Sequence, residues 1–294
     1  MFNNPKKLLK KLNGKVQSMK FLYEEFRVYD FGSYALNRLT PSKGYSVKQN
    51  LNYGTHARHT FDLYTPNHPR EDKPVIVFVH GGAWSHGDKK DYRFVGEAFV
   101  KEGFDVVVLN YQLAPENVFP TYVDDLSLAL NYFDENQTAL NIQFKNIVLM
   151  GHSAGAFNIM SALYSPVNYN LNCKPHIKAT IGLAGPYHFD YKDDPLCADA
   201  FDQTVSYQQV MPYYFVESNN IKHYLFVAQN DKIVHLKNAT DFDQKLKEMQ
   251  NHSKIIVVPK TGHISMMGSV SSLFSHFFET KQSIMKALDE ALTK

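Results

Sequence analysis

The 294-residue sequence has few cysteines, little net charge and no long apolar run, and each shortage excludes a class of protein. Cys173 and Cys197 are too few to form the disulfide framework of a small secreted domain, so we expect a reducing compartment. A formal net charge of +2 produces no global field that would attract nucleic acid or an acidic partner. No window approaches the roughly 20 apolar residues that cross a bilayer. The composition therefore predicts a soluble protein whose function depends on a local site.

The N-terminal segment is rich in lysine but lacks the apolar core of a secretory signal peptide. Its lysines are Lys6, Lys7, Lys10, Lys11, Lys15 and Lys20. Without that core, secretion is disfavoured and a cytoplasmic location is expected. Apolar residues recur between the lysines at near-helical spacing, namely Leu8, Leu9, Leu12, Val16 and Met19. A basic amphipathic helix on an anionic membrane surface would show this pattern, but the modest apolar face without Trp favours a cap helix or a solvated helix.

From about residue 58, short apolar runs rich in Val and Ile alternate with longer segments of helical periodicity. Continuous apolar runs are typical of parallel strands that helices cover on both faces. With 44% apolar residues, residues 1–294 can bury one large core, which predicts a single α/β domain around a mostly parallel central sheet. The expected strands are Thr60 to Tyr64, Val75 to His80, Val106 to Asn110, Ile147 to Met150, Ala179 to Leu183, His223 to Ala228 and Ile255 to Val258.

Helical periodicity between these strands predicts the crossover helices. The expected helices are Tyr92 to Glu102, Thr121 to Phe133, the stretch directly after Ser153, His235 to Met249 and the segment from Ser269 onward. Residues 187–220 interrupt the alternation with Pro195, Pro212 and many aromatic side chains, which indicates an insertion. This insertion and residues 1–45 are expected to supply a small helical cap.

The sharpest local signal is Gly151-His152-Ser153-Ala154-Gly155, which directly follows an expected strand and opens an apolar helical stretch. This strand–turn–helix context is the one that a G-x-S-x-G motif requires. Ser153 must occupy a strained turn so that its hydroxyl projects above the sheet, and the two glycines provide the room. The motif predicts a serine nucleophile, against the alternative of an ordinary glycine-containing turn.

A serine hydroxyl is a weak nucleophile and needs a base whose pKa is near neutrality. In the fold that carries this motif, an acid and then a histidine follow the nucleophile, each on a loop after a later strand. Of thirteen histidines, His263 lies just beyond the last expected strand and is the predicted base. Asp231 directly follows the preceding strand and would fix the imidazole tautomer. An ordinary turn before a helix is the alternative reading of Asp231.

The loop after the second expected strand is the predicted oxyanion site. It reads His80-Gly81-Gly82-Ala83-Trp84. Backbone N–H groups of Gly81 and Gly82, joined by that of Ala154, could converge on the oxyanion of a tetrahedral intermediate. Each such donor is typically worth about a hundredfold in rate.

Two aromatic residues adjoin the catalytic loops and are the expected lining of a substrate pocket, namely Trp84 and Tyr187. Other aromatics of the chain are expected in the core. Nothing in the sequence resembles a P-loop, a zinc-spaced Cys/His cluster or a dinucleotide fingerprint. We therefore expect neither a metal nor an organic cofactor.

These motifs resemble those of the hormone-sensitive-lipase-like branch of the α/β-hydrolases, especially its bacterial carboxylesterases and kynurenine formamidase relatives. The resemblance extends from about residue 52 to residue 263 and includes the segment YQLAPE at residues 111–116 and DLYTP at residues 62–66. It implies an α/β-hydrolase fold that cleaves a small ester or amide through Ser153, His263 and Asp231.

Some positions depart from the usual pattern of that branch. Its members usually read HGGG and GDSAG, whereas Ala83 and His152 are closer to the formamidase and feruloyl-esterase-like members. The leading hypothesis is a carboxylesterase for short acyl chains, with an arylformamidase that hydrolyses N-formylkynurenine as the enzymatic alternative. A catalytically silent hydrolase fold that binds a ligand is the alternative of another class. The sequence indicates no oligomeric state.

Overall fold

The computed structural model describes residues 32–293, which are organised around an eight-stranded sheet. Its strands are β1 (Tyr45–Asn52), β2 (Thr60–Pro66), β3 (Val75–Val79), β4 (Asp105–Leu109), β5 (Ile147–His152), β6 (Ile177–Leu183), β7 (Lys222–Ala228) and β8 (Ser253–Val258). They are ordered β1-β2-β4-β3-β5-β6-β7-β8 across the sheet. Strand β2 is antiparallel to both of its neighbours, and the six strands from β4 across to β8 are parallel. The predicted mostly parallel sheet is confirmed.

Alternate residues of the central strands enter two separate cores, one on each face of the sheet. In β3, Val75, Val77 and Val79 pack into the first core. Ile76 and Phe78 pack into the second core. All five side chains are fully buried. Because both faces are covered, the strand is continuously apolar instead of alternating.

Helices cover both faces, as predicted. They are α1 (residues 32–39 of the described chain), α2 (Arg93–Val100), α3 (Thr121–Glu135), α4 (Gln137–Leu140), α5 (Ala154–Leu163), α6 (Leu236–Glu248), α7 (His263–Gly268) and α8 (Thr280–Leu292). Residues of α3, α5 and α6 belong to the first core. Residues of α2, α7 and α8 belong to the second.

Strand β1 was not expected from the sequence, which assigned residues up to 45 to a cap. Most of its side chains are exposed or half-buried, and its sequence YSVKQNLN has little apolar content. The strand is held at the sheet edge by antiparallel backbone pairing with β2, from Tyr45 opposite Pro66 to Asn52 opposite Thr60. A strand held by backbone pairing does not need an apolar run, so its sequence pattern did not indicate a strand.

The expected helix from Ser269 onward is wrong at its start, because residues 269–279 form turns between α7 and α8. His276, expected inside that helix, lies in one of these turns. The segment is rich in serine, whose hydroxyl competes with helical backbone hydrogen bonding. The hydroxyl of Ser269 donates to the carbonyl oxygen of Met266 and contacts the hydroxyl of Thr280 at 2.6 Å. Helix α8 therefore begins only at Thr280.

Residues 187–220 connect β6 to β7 and were expected to supply part of a helical cap. They contain two short 3₁₀ helices, Tyr207–Gln209 and Pro212–Phe215, and no α-helix. Tyr191, Phe201 and Met211 are buried in the first core, which anchors this insertion to the main body. The expectations for residues 1–31, including the lysine-rich helix, lie outside the described residues. Between residues 32 and 293, no helix has the length and apolar character needed to cross a membrane.

Candidate active site

Ser153 lies in a strained turn between β5 and α5. Its backbone angles are φ 52° and ψ −119°, a region that residues with side chains rarely adopt. Two hydrogen bonds hold the turn, since the N–H of Ser153 donates to the carbonyl oxygen of Leu183 at 2.8 Å and its own carbonyl accepts from Ala156 at 3.0 Å. The strand–turn–helix context predicted for the motif is present.

Glycines let two neighbouring backbones approach this turn. A Cβ added to Gly155 would overlap the carbonyl oxygen of Val79, so β3 and the start of α5 are in direct main-chain contact. A Cβ added to Gly81 would lie 3.1 Å from the Cβ of Ser153 and 2.9 Å from the carbonyl oxygen of His152. The loop after β3 therefore lies directly beside Ser153, where a larger residue would not fit.

The structure brings Ser153, His263 and Asp231 together at the carboxyl edge of the sheet. The Nε2 of His263 is 2.9 Å from the Oγ of Ser153, and its Nδ1 is 2.8 Å from the Oδ2 of Asp231. His263 begins α7 and is buried, with 9% of its surface exposed. A hydroxyl, an imidazole and a carboxylate in this sequence of contacts can pass the serine proton to the ring while the carboxylate stabilises the resulting cation.

Asp231 is oriented by its own loop. Its Oδ1 accepts hydrogen bonds from the N–H groups of Ile233 and Val234, both at 2.9 Å. Burial raises the pKa of Asp231, but the hydrogen bond from His263 and those backbone donors outweigh it, so the pKa lies below its usual value. The carboxylate is therefore ionised at neutral pH and leaves Oδ2 to the imidazole.

His152 was predicted only as part of the serine motif, but its side chain contacts the main chain of His263. Its Nε2 is 3.1 Å from the carbonyl oxygen of His263. Burial lowers the pKa of His152 to about 3, so the ring is neutral at pH 7. The position of His152 directly before Ser153 was the one signal in the sequence that could have indicated its contact with His263.

The expected oxyanion donors need one correction. The N–H of Gly81 donates to the phenolic oxygen of Tyr92 at 3.2 Å, so this donor is engaged in holding the loop. Gly82 has φ +123°, and the loop then continues through Ala83 at φ +47°. Ala154 is the first residue of α5, where N–H groups have no intrahelical partner. The available N–H groups beside Ser153 are thus those of the later loop residues and of Ala154.

The expected pocket residues Trp84 and Tyr187 are part of the core, which corrects that expectation. Trp84 is 2% exposed, and its Nε1 donates to the Oδ1 of Asn158 at 2.9 Å. Tyr187 is 1% exposed, and its ring stacks on Phe242 with centroids 4.8 Å apart. Both rings turn away from solvent because the first core extends up to the carboxyl edge of the sheet.

A metal site was not expected from the sequence. Within residues 32–293, no group of three His, Cys, Asp or Glu side chains is placed to hold a metal ion.

Known proteins resemble this chain in sequence over parts of its length. The BD-FAE family model matches residues 61–246, which include Ser153 and Asp231. The chain is 32% identical over 148 residues to the isoprenylcysteine α-carbonyl methylesterase ICME of Arabidopsis thaliana, covering 48% of this chain and 35% of that protein. It is 23% identical over 249 residues to the kynurenine formamidase of Salmo salar, covering 82% of each. The chain thus spans about a third of the methylesterase's length.

Solved structures share the fold. Esterase B from Lactobacillus rhamnosis superimposes with a TM-score of 0.74 at 14% identity over 95% of this chain and 96% of that one. A bacterial heroin esterase gives a TM-score of 0.74 at 17% identity over 91% of both chains. The fold of this chain is that of the α/β-hydrolases. Within that class, the chain belongs to the BD-FAE family, whose model covers more than half of it.

Proposed function

We propose that this protein is a serine hydrolase that cleaves small carboxylic esters through an acyl-enzyme. Ser153 is the nucleophile, His263 the general base and acid, and Asp231 the residue that orients the imidazole. The observation that carries the proposal is the continuous line of contacts from Oδ2 through the imidazole to Oγ, at 2.8 Å and 2.9 Å. Each distance lies within the reach that nucleophilic catalysis requires.

In the proposed reaction, the Oγ of Ser153 attacks the ester carbonyl while its proton passes to the Nε2 of His263. The ionised Asp231 holds Nδ1–H in place and stabilises the imidazolium. The proton then goes to the leaving alcohol, and water releases the acyl group by the same route in reverse. N–H groups of Gly82, Ala83 and Ala154 are the proposed donors to the oxyanion, since that of Gly81 is bonded to a phenol.

The chain is proposed to act as a single domain that needs no bound cofactor, and residues 187–220 are proposed to cap the site. Two contacts of His188 support an ordered cap. His188 stacks on Tyr213 with centroids 3.9 Å apart, and its Nδ1 pairs with the Oδ2 of Asp241 on α6 at 2.8 Å. These contacts tie the insertion to a helix of the main body.

A fluorophosphonate probe tests the proposal, because it labels an activated serine covalently. The wild-type protein should be labelled and should hydrolyse p-nitrophenyl acetate and butyrate. Ser153→Ala should abolish labelling and hydrolysis while leaving the circular dichroism spectrum unchanged. A folded wild-type protein that is neither labelled nor active would favour the alternative of a hydrolase fold used only for ligand binding.

An arylformamidase is the second candidate, because the kynurenine formamidase of Salmo salar matches over 82% of both chains. The same nucleophile would then attack the formyl carbon of N-formylkynurenine and release an arylamine. Values of kcat/KM for N-formylkynurenine and for p-nitrophenyl acetate, measured on one preparation, separate the two candidates. A preference for the formyl amide would replace the esterase assignment.

A further inference from the structure

A cleft of about 570 Å³ lies beside His263, which is one of its lining residues. The remaining walls come from segments that are far apart in sequence: α1, the start of α2, the loop after β7, and α7 with the turns that follow it. Seven apolar residues line the cleft, among them Leu36, Phe94, Ile233, Met267 and Phe274. A cleft of this volume is large enough for a small organic group.

The chemistry of the walls favours an apolar occupant without positive charge. Phe94 and Met267 are lining residues that are 1% exposed, and Leu36 is 9% exposed, so packing in the second core fixes the position of this apolar wall. The described lining residues include one charged side chain, the exposed Lys232, and no Asp or Glu. An ammonium group would therefore lose its hydration there without gaining a carboxylate partner. An alkyl chain or ring instead gains free energy with each methylene removed from water.

The place of His263 decides which part of an ester the cleft receives. Its Nε2 is 2.9 Å from the Oγ of Ser153, and the proton taken from that hydroxyl is the one delivered to the leaving oxygen. A general acid must lie within hydrogen-bond reach of the atom that it protonates. The leaving alcohol must therefore lie against this imidazole when the bond breaks. The cleft lined by His263 is next to that position.

We infer that this cleft binds the leaving alcohol, and that the preferred substrates are esters of apolar alcohols of medium length. The inference rests on the proposed function and extends it to a substrate class. In the step concerned, the bond from Oγ to the acyl carbon forms, the bond from that carbon to the alcohol oxygen breaks, and the proton on Nε2 goes to that oxygen. Each methylene buried in the transition state should raise kcat/KM about fourfold.

Acetate esters of ethanol, butanol, hexanol and octanol test the inference because all form the same acetyl-enzyme. We expect kcat/KM to rise along this series. We expect kcat to stay constant wherever release of the acetyl group limits turnover. The comparison series consists of ethyl esters from acetate to octanoate, in which only the acyl chain grows.

Gly268→Leu is the variant that fills the cleft. Gly268 lines it at the end of α7, and an added Cβ would meet only the Cδ1 of Leu36, at 3.6 Å. We expect the ratio of kcat/KM for octyl acetate to that for ethyl acetate to fall at least tenfold. Phe274→Ala removes part of the wall without adding volume, and it should lower the same ratio several-fold if the first variant fails to fold. Phe277→Ala is the matched control, since this ring is 77% exposed and does not line the cleft.

The outcomes separate this inference from the proposed function. If Gly268→Leu changes kcat/KM along the ethyl esters and leaves kcat/KM along the acetate esters unchanged, the cleft is an acyl pocket and the inference is wrong. If neither series changes while ethyl acetate is still hydrolysed, the inference is wrong and the esterase assignment stands. If the wild-type protein hydrolyses no ester and resists fluorophosphonate labelling, the proposed function itself fails.

Discussion

The imidazole of His152 is hydrogen-bonded to the main-chain carbonyl oxygen of His263, a residue 111 positions later in the chain. The two rings are tilted against each other with centroids 5.0 Å apart. Because the ring of His152 is neutral, its Nε2 must carry the proton in order to donate to this oxygen. The residue directly before the proposed nucleophile therefore positions the backbone of the proposed base.

Replacing His152 should reduce catalysis more than substrate binding. His152→Leu removes the donor to His263, and we expect kcat for p-nitrophenyl acetate to fall about tenfold with little change in KM, because a small misplacement of the base is costly. His152→Gln keeps a side-chain N–H and should recover part of the loss. Equal kcat values for both variants and the wild type would show that the contact is only structural.

Asp231→Asn should lower kcat by about four orders of magnitude, because an amide can hold the wrong imidazole tautomer and cannot stabilise the imidazolium. Asp241→Asn is the matched control. Asp241 pairs with His188 at the same distance of 2.8 Å that joins Asp231 to His263, but the other ring nitrogen of His188 contacts the phenolic hydroxyl of Tyr214 and not Ser153. Ester hydrolysis in both variants is the measurement, and a comparable loss in both would contradict the assignment.

Gly155→Ala should destabilise the protein and reduce fluorophosphonate labelling. The added Cβ would overlap the carbonyl oxygen of Val79, so β3 and α5 must separate near Ser153. Overpacking of this kind costs about 1–3 kcal/mol. Gly268→Ala is the control, because its Cβ would make one ordinary contact at 3.6 Å. Urea denaturation measures the difference, and equal unfolding free energies would exclude the predicted overlap.

Stability should decrease as the pH falls from about 6.5 towards 4. Burial lowers the pKa of His80 to about 4 and that of His223 to about 3, while His152 is shifted in the same direction. Over this pH range the unfolded chain binds protons that the folded protein does not. Each histidine therefore removes up to about 1.4 kcal/mol of unfolding free energy per pH unit.

His223→Gln should make the unfolding free energy less dependent on pH, by the contribution of one histidine. The ring of His223 is fully buried in β7, where its nitrogens contact the hydroxyls of Thr180 at 2.9 Å and Tyr164 at 2.8 Å. The measurement is urea denaturation of both proteins at pH values between 7 and 4. Parallel pH dependences would show that this histidine does not contribute to acid sensitivity.

Local sequence pattern indicated seven of the eight strands and three functional candidates. Seven strands were expected because each is a short apolar run, and such a run is detectable without knowledge of its neighbours. Ser153 was identified from a five-residue motif, and His263 and Asp231 from their order after successive strands. The three candidates lie close together because the carboxyl ends of parallel strands meet at one edge of the sheet, so position along the chain already indicates position in space.

Only the tertiary structure decided which groups form hydrogen bonds with each other and which side chains are buried. The engagement of Gly81 with Tyr92 and the burial of Trp84 and Tyr187 depend on which segments pack against each loop. Strand β1 exists because β2 offers it a backbone partner, and not because of its own residues. A hydrogen bond between two segments, or the burial of a side chain, requires atoms of both segments to lie within a few ångströms of each other. The sequence by itself determined which residues end the strands, and packing decided what each of them contacts.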